Sequence, residues 1–504
     1  MRYGLIAAIG LALATMAGTV QAGPKDNSVK VAFDIAPENI DPYFNSARVG
    51  VIIAQQVWDT LLYRDPVTGE HKGQLAKSWR WVDERTLEFE LRQGVIFQNG
   101  EAFDADDVVY TFNYVANPAN KVVTQSNVAW IAGAEKIDPY TVQVKLKYNF
   151  PAAIEYLSGP VVIYPNEYHT AQGPQGMNMK PVGSGPYRIV EHVPGKSVRL
   201  QRNPDYFRDS PKAQPTIERI DIRFIPDRQT QVAELMTGGV EFAMGIPVDE
   251  AKGMKDIPTV QVVDGETMRV VFLNVNSQET SPTPALRDVR VRQAIAHAID
   301  RKTMIRQLVG DKARVLDVVC YPSQFGCDAS QAVSYEYNPA KAKALLAEAG
   351  YPNGFDVDIM AYREREQTEA IIGYLRAVGI RTNFRFLQYA AMREQVRAGK
   401  SSLVHQTWGS FGINDVSSIL SNYFKFNGDD VNHSLEVRDL LQVADSSIDP
   451  NIRRSNYTKA LGIISQQAYG IPLYSLPSYY VVSKGLSFTP YPDELPRFWE
   501  MRWK

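Results

Sequence analysis

Cysteine is almost missing from this chain: 504 residues include two. That count excludes a disulfide-dense miniature scaffold, and it excludes a zinc site with four thiolates drawn from one chain. An excess of charge of one sign is missing too. Lys and Arg number 54 against 56 Asp and Glu, a net charge of −2, and no basic tract breaks the balance. Chains that hold nucleic acid carry a basic stripe or patch, so nucleic acid is not an expected partner. Beyond the N-terminus, no run reaches the ~18 consecutive apolar residues of a membrane-spanning helix. Histidine is scarce. His71, His169, His192, His297, His405 and His433 include no pair three or four positions apart, so no helix presents two imidazoles to a metal. No metal and no other cofactor is expected.

Catalytic motifs are missing as well. Gly195-Lys196-Ser197 and Gly399-Lys400-Ser401 end like phosphate-binding loops, but Val190 and Glu394 stand where the leading glycine belongs. Gly183-Ser184-Gly185 lacks the alternation Gly-x-Ser-x-Gly of a nucleophile elbow. Asp104, Asp106 and Asp107 read as a helix cap and acidic first turn, not as a calcium loop. His297 reads as a structural residue on a helix. Because catalytic triads are scattered in sequence, a secreted hydrolase with a peptidase or esterase site in a cleft stays as the alternative reading.

What is present is apolar and ordered: 44% of residues are hydrophobic and 11% aromatic, too much for a disordered chain. At ~150 residues per domain the length suggests about three domains. Arg2, an apolar run from Leu5 to about Gly18, and small residues at Val20 and Ala22 form a secretory signal peptide over residues 1–22, cleaved after Ala22. Gly23 occupies the position where a lipid-anchored protein would need cysteine, so an unanchored periplasmic protein is expected. Export reframes Cys320 and Cys327: they enclose six residues, including Pro322 and Gly326, and an oxidising compartment favours a disulfide that clips this loop.

Strands are expected at 28–34, from Trp79 to Leu91, and at 141–146, 219–225, 269–275, 355–361 and 381–387, each from apolar alternation. Helical spacing covers 48–63, 339–349 and 366–378. It also covers a long stretch begun by Asp288 that carries Val291, Ile295, Ile299, Ile305 and Leu308. Interleaved strands and helices give an α/β fold with more than one sheet.

Several ordered segments resemble family 5 of the bacterial extracellular solute-binding proteins, the dipeptide, oligopeptide and nickel-type receptors of ABC importers. They are Leu75 to Trp79, Thr86 to Gly100, Phe103 to Val108, Gly183 to Tyr187, Leu286 to Arg301, and Ala349 to Phe355. The resemblance implies a two-lobe periplasmic-binding-protein (Venus flytrap) architecture with an extra subdomain in lobe I. Lobe I would take residues 23–270 plus 478–504, with the subdomain near 46–180. Lobe II would take 271–477. It also implies capture of a peptide or related small solute by a monomer, closure of the lobes, and delivery to an inner-membrane ABC permease, with no reaction catalysed. Shifting such a protein from 1:99 to 99:1 closed requires a ligand preference of about 5.5 kcal/mol.

By the same resemblance, ligand-binding residues map to Asn39 and Tyr43, to Arg363 and Arg365, and to Trp408, Phe411, Asn414 and Asp415. Trp408 would stack on the ligand, and Arg363 would grip a carboxylate through its guanidinium fork. Peptide-binding members place an aspartate shortly after this tryptophan to receive the α-amine. Here Phe411 stands nearest that place and Asp415 follows later. Either Asp415 takes the amine or the ligand lacks one.

Overall fold

The computed structural model describes residues 23, 25–45 and 47–504, and leaves out the side chains of Ser126 and Phe411. The expected signal peptide, residues 1–22, lies outside the described residues. Among those described, no helix is long and apolar enough to cross a membrane.

Three main sheets organise the chain. A seven-stranded sheet runs in the spatial order 260–265, 478–483, 242–244, 28–33, 219–224, 197–202, 187–193. Its strand Ser28–Phe33 pairs in parallel with Arg219–Phe224 and with Phe242–Met244. A four-stranded antiparallel sheet, Ala76–Asp83, Thr86–Leu91, Thr141–Leu146 and Ile131–Asp138, stands beside it. A five-stranded sheet runs 380–386, 355–361, 403–408, 270–275, 470–475. The seven-stranded sheet, with the small sheet added, forms lobe I; the five-stranded sheet forms lobe II.

The alternation that marks these strands in sequence is the alternation of burial. In Arg219–Phe224, Ile220, Ile222 and Phe224 face in; in Thr141–Leu146, Val142, Val144 and Leu146 do. Strand Val270–Val275 is buried at every position, because helices cover both faces of its sheet. Period two then splits its side chains between two cores. Val271, Leu273 and Val275 pack with Val291, Ile295 and Ile371. Val270 and Phe272 pack with Ile419, Tyr423 and Leu461.

Helix Ala105–Ala116 starts as its sequence suggests. The Asp104 side chain and Asp107 form a reciprocal capping box, the arrangement that satisfies two orphan N–H groups at once. Two helices are shorter than their periodicity predicts. The first spans Arg48–Val57 rather than 48–63. It stops where Gly183 and Gly185 press on its last turn: a Cβ at Gly183 would lie 2.1 Å from the Val57 carbonyl oxygen, and Gly185 N–H donates to that oxygen at 2.8 Å. The glycines of Gly183-Ser184-Gly185 therefore serve close backbone contact. Ser184 Oγ donates to Asp59 at 3.2 Å.

The stretch after Asp288 forms a helix only over Val289–Ala298. Ile299 is extended, and the Asp300 side chain caps a new turn by accepting from Thr303 N at 2.9 Å. An aspartate that can cap competes with continuation of the helix. His297 sits at the end of the first piece, its Nδ1 2.8 Å from the Glu336 carbonyl oxygen.

Candidate ligand-binding cleft

Two neighbouring spaces lie where the lobes meet. The inner chamber, about 270 Å³, is walled by lobe I side chains, among them Trp58, Tyr63, Arg64, Glu155, Arg497 and Trp499, and is roofed by Gly412 and Ile413 of lobe II. The outer chamber, about 950 Å³, has Tyr148, Phe150 and Tyr156 on the lobe I side and Tyr389 and Trp408 on the lobe II side. Asn127 and Ile413 line both.

The wall between them is the loop after strand Leu403–Trp408. Trp408 lies opposite Val270 in the sheet; a short 3-10 turn, Ser410–Gly412, follows. The disulfide Cys320–Cys327 closes a neighbouring loop in lobe II, and that loop holds the wall. Phe325 N–H donates to the Asn414 carbonyl at 2.8 Å and Val416 N–H to the Phe325 carbonyl at 3.1 Å. Gln324 Nε2 donates to Ser410 Oγ at 3.0 Å and to the Ile413 carbonyl at 3.2 Å. Across the cleft, lobe I takes the same loop by its backbone. Arg64 Nη2 donates to the Gly412 carbonyl at 2.8 Å, and Asn414 N–H donates to Glu155 Oε2 at 3.0 Å.

Glu155 is buried, and Arg64 Nε lies 3.3 Å from it and His71 Nε2 3.0 Å. Burial opposes its ionisation, but the His71 hydrogen bond, the Arg64 charge and the Asn414 N–H outweigh burial and hold its carboxyl below the usual range. Asp493 behaves likewise: burial is outweighed by Arg497, which grips it at 2.7 and 3.2 Å. Beside it, Glu494 is shared by Arg48 at 3.3 Å and Arg269 at 3.0 Å.

The residues expected to meet ligand fall in different places. Trp408 lies on the outer chamber wall, its ring edge-on to Tyr423 at 5.6 Å. Asn414 is buried and contributes its backbone to the contact with Glu155. Asp415 is buried and lines neither chamber. Its carboxylate accepts from Arg453 Nη2 at 2.8 Å and from Ser417 N–H at 3.0 Å. Arg363 is exposed and pairs with Glu364 at 2.9 Å; Arg365 is exposed, pairs with Glu369 and stacks on Phe386. Asn39 closes a local turn by accepting from Asp41 N–H at 2.8 Å. Tyr43 is in the lobe I core, its hydroxyl donating to the Val162 carbonyl at 2.6 Å. The Phe411 side chain lies outside the described residues. Sequence reasoning missed Arg64, Glu155, Asp493 and the lobe I aromatics. Of these only Tyr148 and Phe150, in a Tyr-Asn-Phe-Pro break after a strand, carry any local signal.

Two α/β lobes with a walled cleft between them form an architecture able to enclose a small solute. The model for the bacterial extracellular solute-binding proteins, family 5 (middle), matches residues 70–430. The glutathione-binding protein GsiB of Escherichia coli (strain K12) is 27% identical over 493 residues, covering 94% of this chain and 93% of the relative. Among solved structures, HbpA2 from Haemophilus parasuis superposes with a TM-score of 0.82 at 24% identity, covering 95% of this chain and all of that one. The ABC transporter-associated periplasmic binding protein DppA from Helicobacter pylori, in complex with the peptide STSA, gives 0.76 at 23% identity, covering 94% and 98%. The chain belongs to family 5 of the bacterial extracellular solute-binding proteins.

Proposed function

We propose that this chain is the periplasmic receptor of an ABC importer. It encloses a small peptide-like solute between its lobes and presents the closed form to an inner-membrane permease. The observation that carries the reading is the loop 409–414. One segment of lobe II walls both chambers and is held by Arg64 and Glu155 of lobe I, so filling the cleft and joining the lobes are one event. Ligand that touches both lobes favours the closed form by its differential affinity. The relatives support this direction: GsiB is named for glutathione, a peptide, and the DppA structure contains one. The mature chain acts as a monomer, released after cleavage behind Ala22, and converts no cargo.

The test is small-angle scattering on protein stripped of bound solute by unfolding and refolding, paired with native mass spectrometry of the unstripped protein. A co-purified solute that restores a smaller radius of gyration when added back is the expected result. Turnover of that solute, or unchanged dimensions at saturation, would overturn the reading.

A further inference from the structure

The charges on the cleft walls are distributed very unevenly between used and unused groups. Three carboxylates line the chambers: Glu155 and Asp493 in the inner one, Asp445 in the outer one. All three are taken. Glu155 holds Arg64, His71 and the Asn414 N–H. Asp493 holds both arms of Arg497. Asp445 accepts from Lys425 Nζ at 2.6 Å and from the hydroxyls of Ser421 and Tyr457. Asp415, the loop's own carboxylate, is buried against Arg453.

The wall cations are paired in the same way, with one exception. Lys212 sits on Asp59 at 2.8 Å, Arg393 on Asp429, Lys425 on Asp445 and Arg453 on Asp415. Arg64 pairs with Glu155 at 3.3 Å and reaches Asp493 at 3.8 Å, and Arg497 pairs with Asp493 at 2.7 Å. Arg85 differs. It lies in the turn between strands Ala76–Asp83 and Thr86–Leu91, on the outer chamber wall. Its Nε donates to Asn149 Oδ1 at 2.9 Å. The nearby Glu84 is occupied by the Asn149 amide at 2.7 Å. Among the described residues, no carboxylate forms an ion pair with Arg85.

We infer that the cargo carries a carboxylate and no free ammonium group, and that Arg85 is the residue that receives the carboxylate. An ammonium group entering this cleft finds each wall carboxylate already paired and would have to replace one cation by another, with no net gain of charge pairing. A carboxylate entering it finds the free Nη fork of Arg85, the geometry suited to bidentate capture. This rests on the receptor reading above and adds a charge class to it.

The experiment uses the refolded full chain and a mixed tripeptide library in three forms: free, N-acetylated, and C-amidated. Binding is read by affinity capture and mass spectrometry, then by calorimetry on the best members. We expect the N-acetylated pool, which keeps its carboxylate and loses its ammonium, to be captured at least tenfold better than the amidated pool and no worse than the free one. Arg85→Gln should weaken N-acetylated binding at least fivefold without changing the melting temperature, because Arg85 is an exposed turn residue. A free or amidated pool that binds best overturns the charge class. N-acetylated binding untouched by Arg85→Gln overturns the role of Arg85. Capture of none of the three pools overturns the peptide-like receptor reading itself, and the inference with it.

Discussion

Breaking the Cys320–Cys327 disulfide separates two consequences that the structure ties together. The bond closes a short loop, and the entropy it removes from the unfolded chain follows loop length: for about eight residues it amounts to ~2.5 kcal/mol at 25 °C. Cys320 is fully buried in the lobe II core, so Cys320→Ser paired with Cys327→Ser also places a hydroxyl there. In a lobe of ~200 residues each kcal/mol moves the melting temperature by ~2–4 °C, and a fall of ~5–10 °C is expected by scanning calorimetry. The second consequence concerns binding. Gln324 and Phe325, inside the clipped loop, hold Ser410, Ile413 and Asn414 in the chamber wall. Loosening them should weaken the co-purified cargo at a temperature where the variant is fully folded. Dithiothreitol should reproduce both effects in the parent protein. A lowered melting temperature with unchanged affinity would refute the mechanical link between disulfide and cleft, and an unchanged melting temperature would refute the loop-entropy argument itself.

Three further outcomes are expected. Trp408→Ala should weaken cargo binding by at least ~1 kcal/mol, about fivefold in Kd, as loss of a buried aromatic anchor does; unchanged titration calorimetry removes it from the contact surface. Glu155→Gln keeps the side-chain shape but leaves Arg64 and His71 without their shared charge. Charge-assisted hydrogen bonds contribute ~1.5–3 kcal/mol, so cargo affinity should fall about tenfold or more, and the open form should be over-represented in scattering at sub-saturating cargo. Burial raises the Asp41 carboxyl to about 7, against the opposing hydrogen bonds from Tyr164 and the Tyr43 N–H. An acid whose pKa is higher folded than unfolded holds extra protons only when folded, so its stabilisation is complete below ~4 and lost as pH rises through ~7. Lobe I should therefore melt at a lower temperature at pH 8 than at pH 5, and Asp41→Asn should flatten that slope; an unaltered slope would assign the effect to another group, with Asp107, raised to about 7, the first to examine.

The fold was legible wherever one strand face is buried, because period two writes itself into the residues: Arg219–Phe224 and Thr141–Leu146 show it plainly. Helix lengths were less legible. Val57 ends its helix through glycines that approach from position 183 onward, and no local pattern announces a distant backbone. The cleft follows the same logic. Trp408 was reachable because the segment around it resembles a family. Asp415 carries no local mark of its partner Arg453, and the Glu155 contact to Asn414 joins positions 259 apart. Such pairings exist only after the lobes have assembled.

The chain passes between the two large sheets twice, from Gly265 to Val270 and from Ser475 to Ser478. The passages are neighbours: strands Val270–Val275 and Gly470–Ser475 are paired, Leu476 N–H donates to the Arg269 carbonyl at 2.8 Å, and Thr267 Oγ1 donates to the Leu476 carbonyl. Two laced ribbons resist sliding past each other but bend together. The lobes are thereby left with essentially one swing axis, like a book on its spine. A swing about that axis would part the lobes most at the edge farthest from the crossings, the side from which a solute would have to enter.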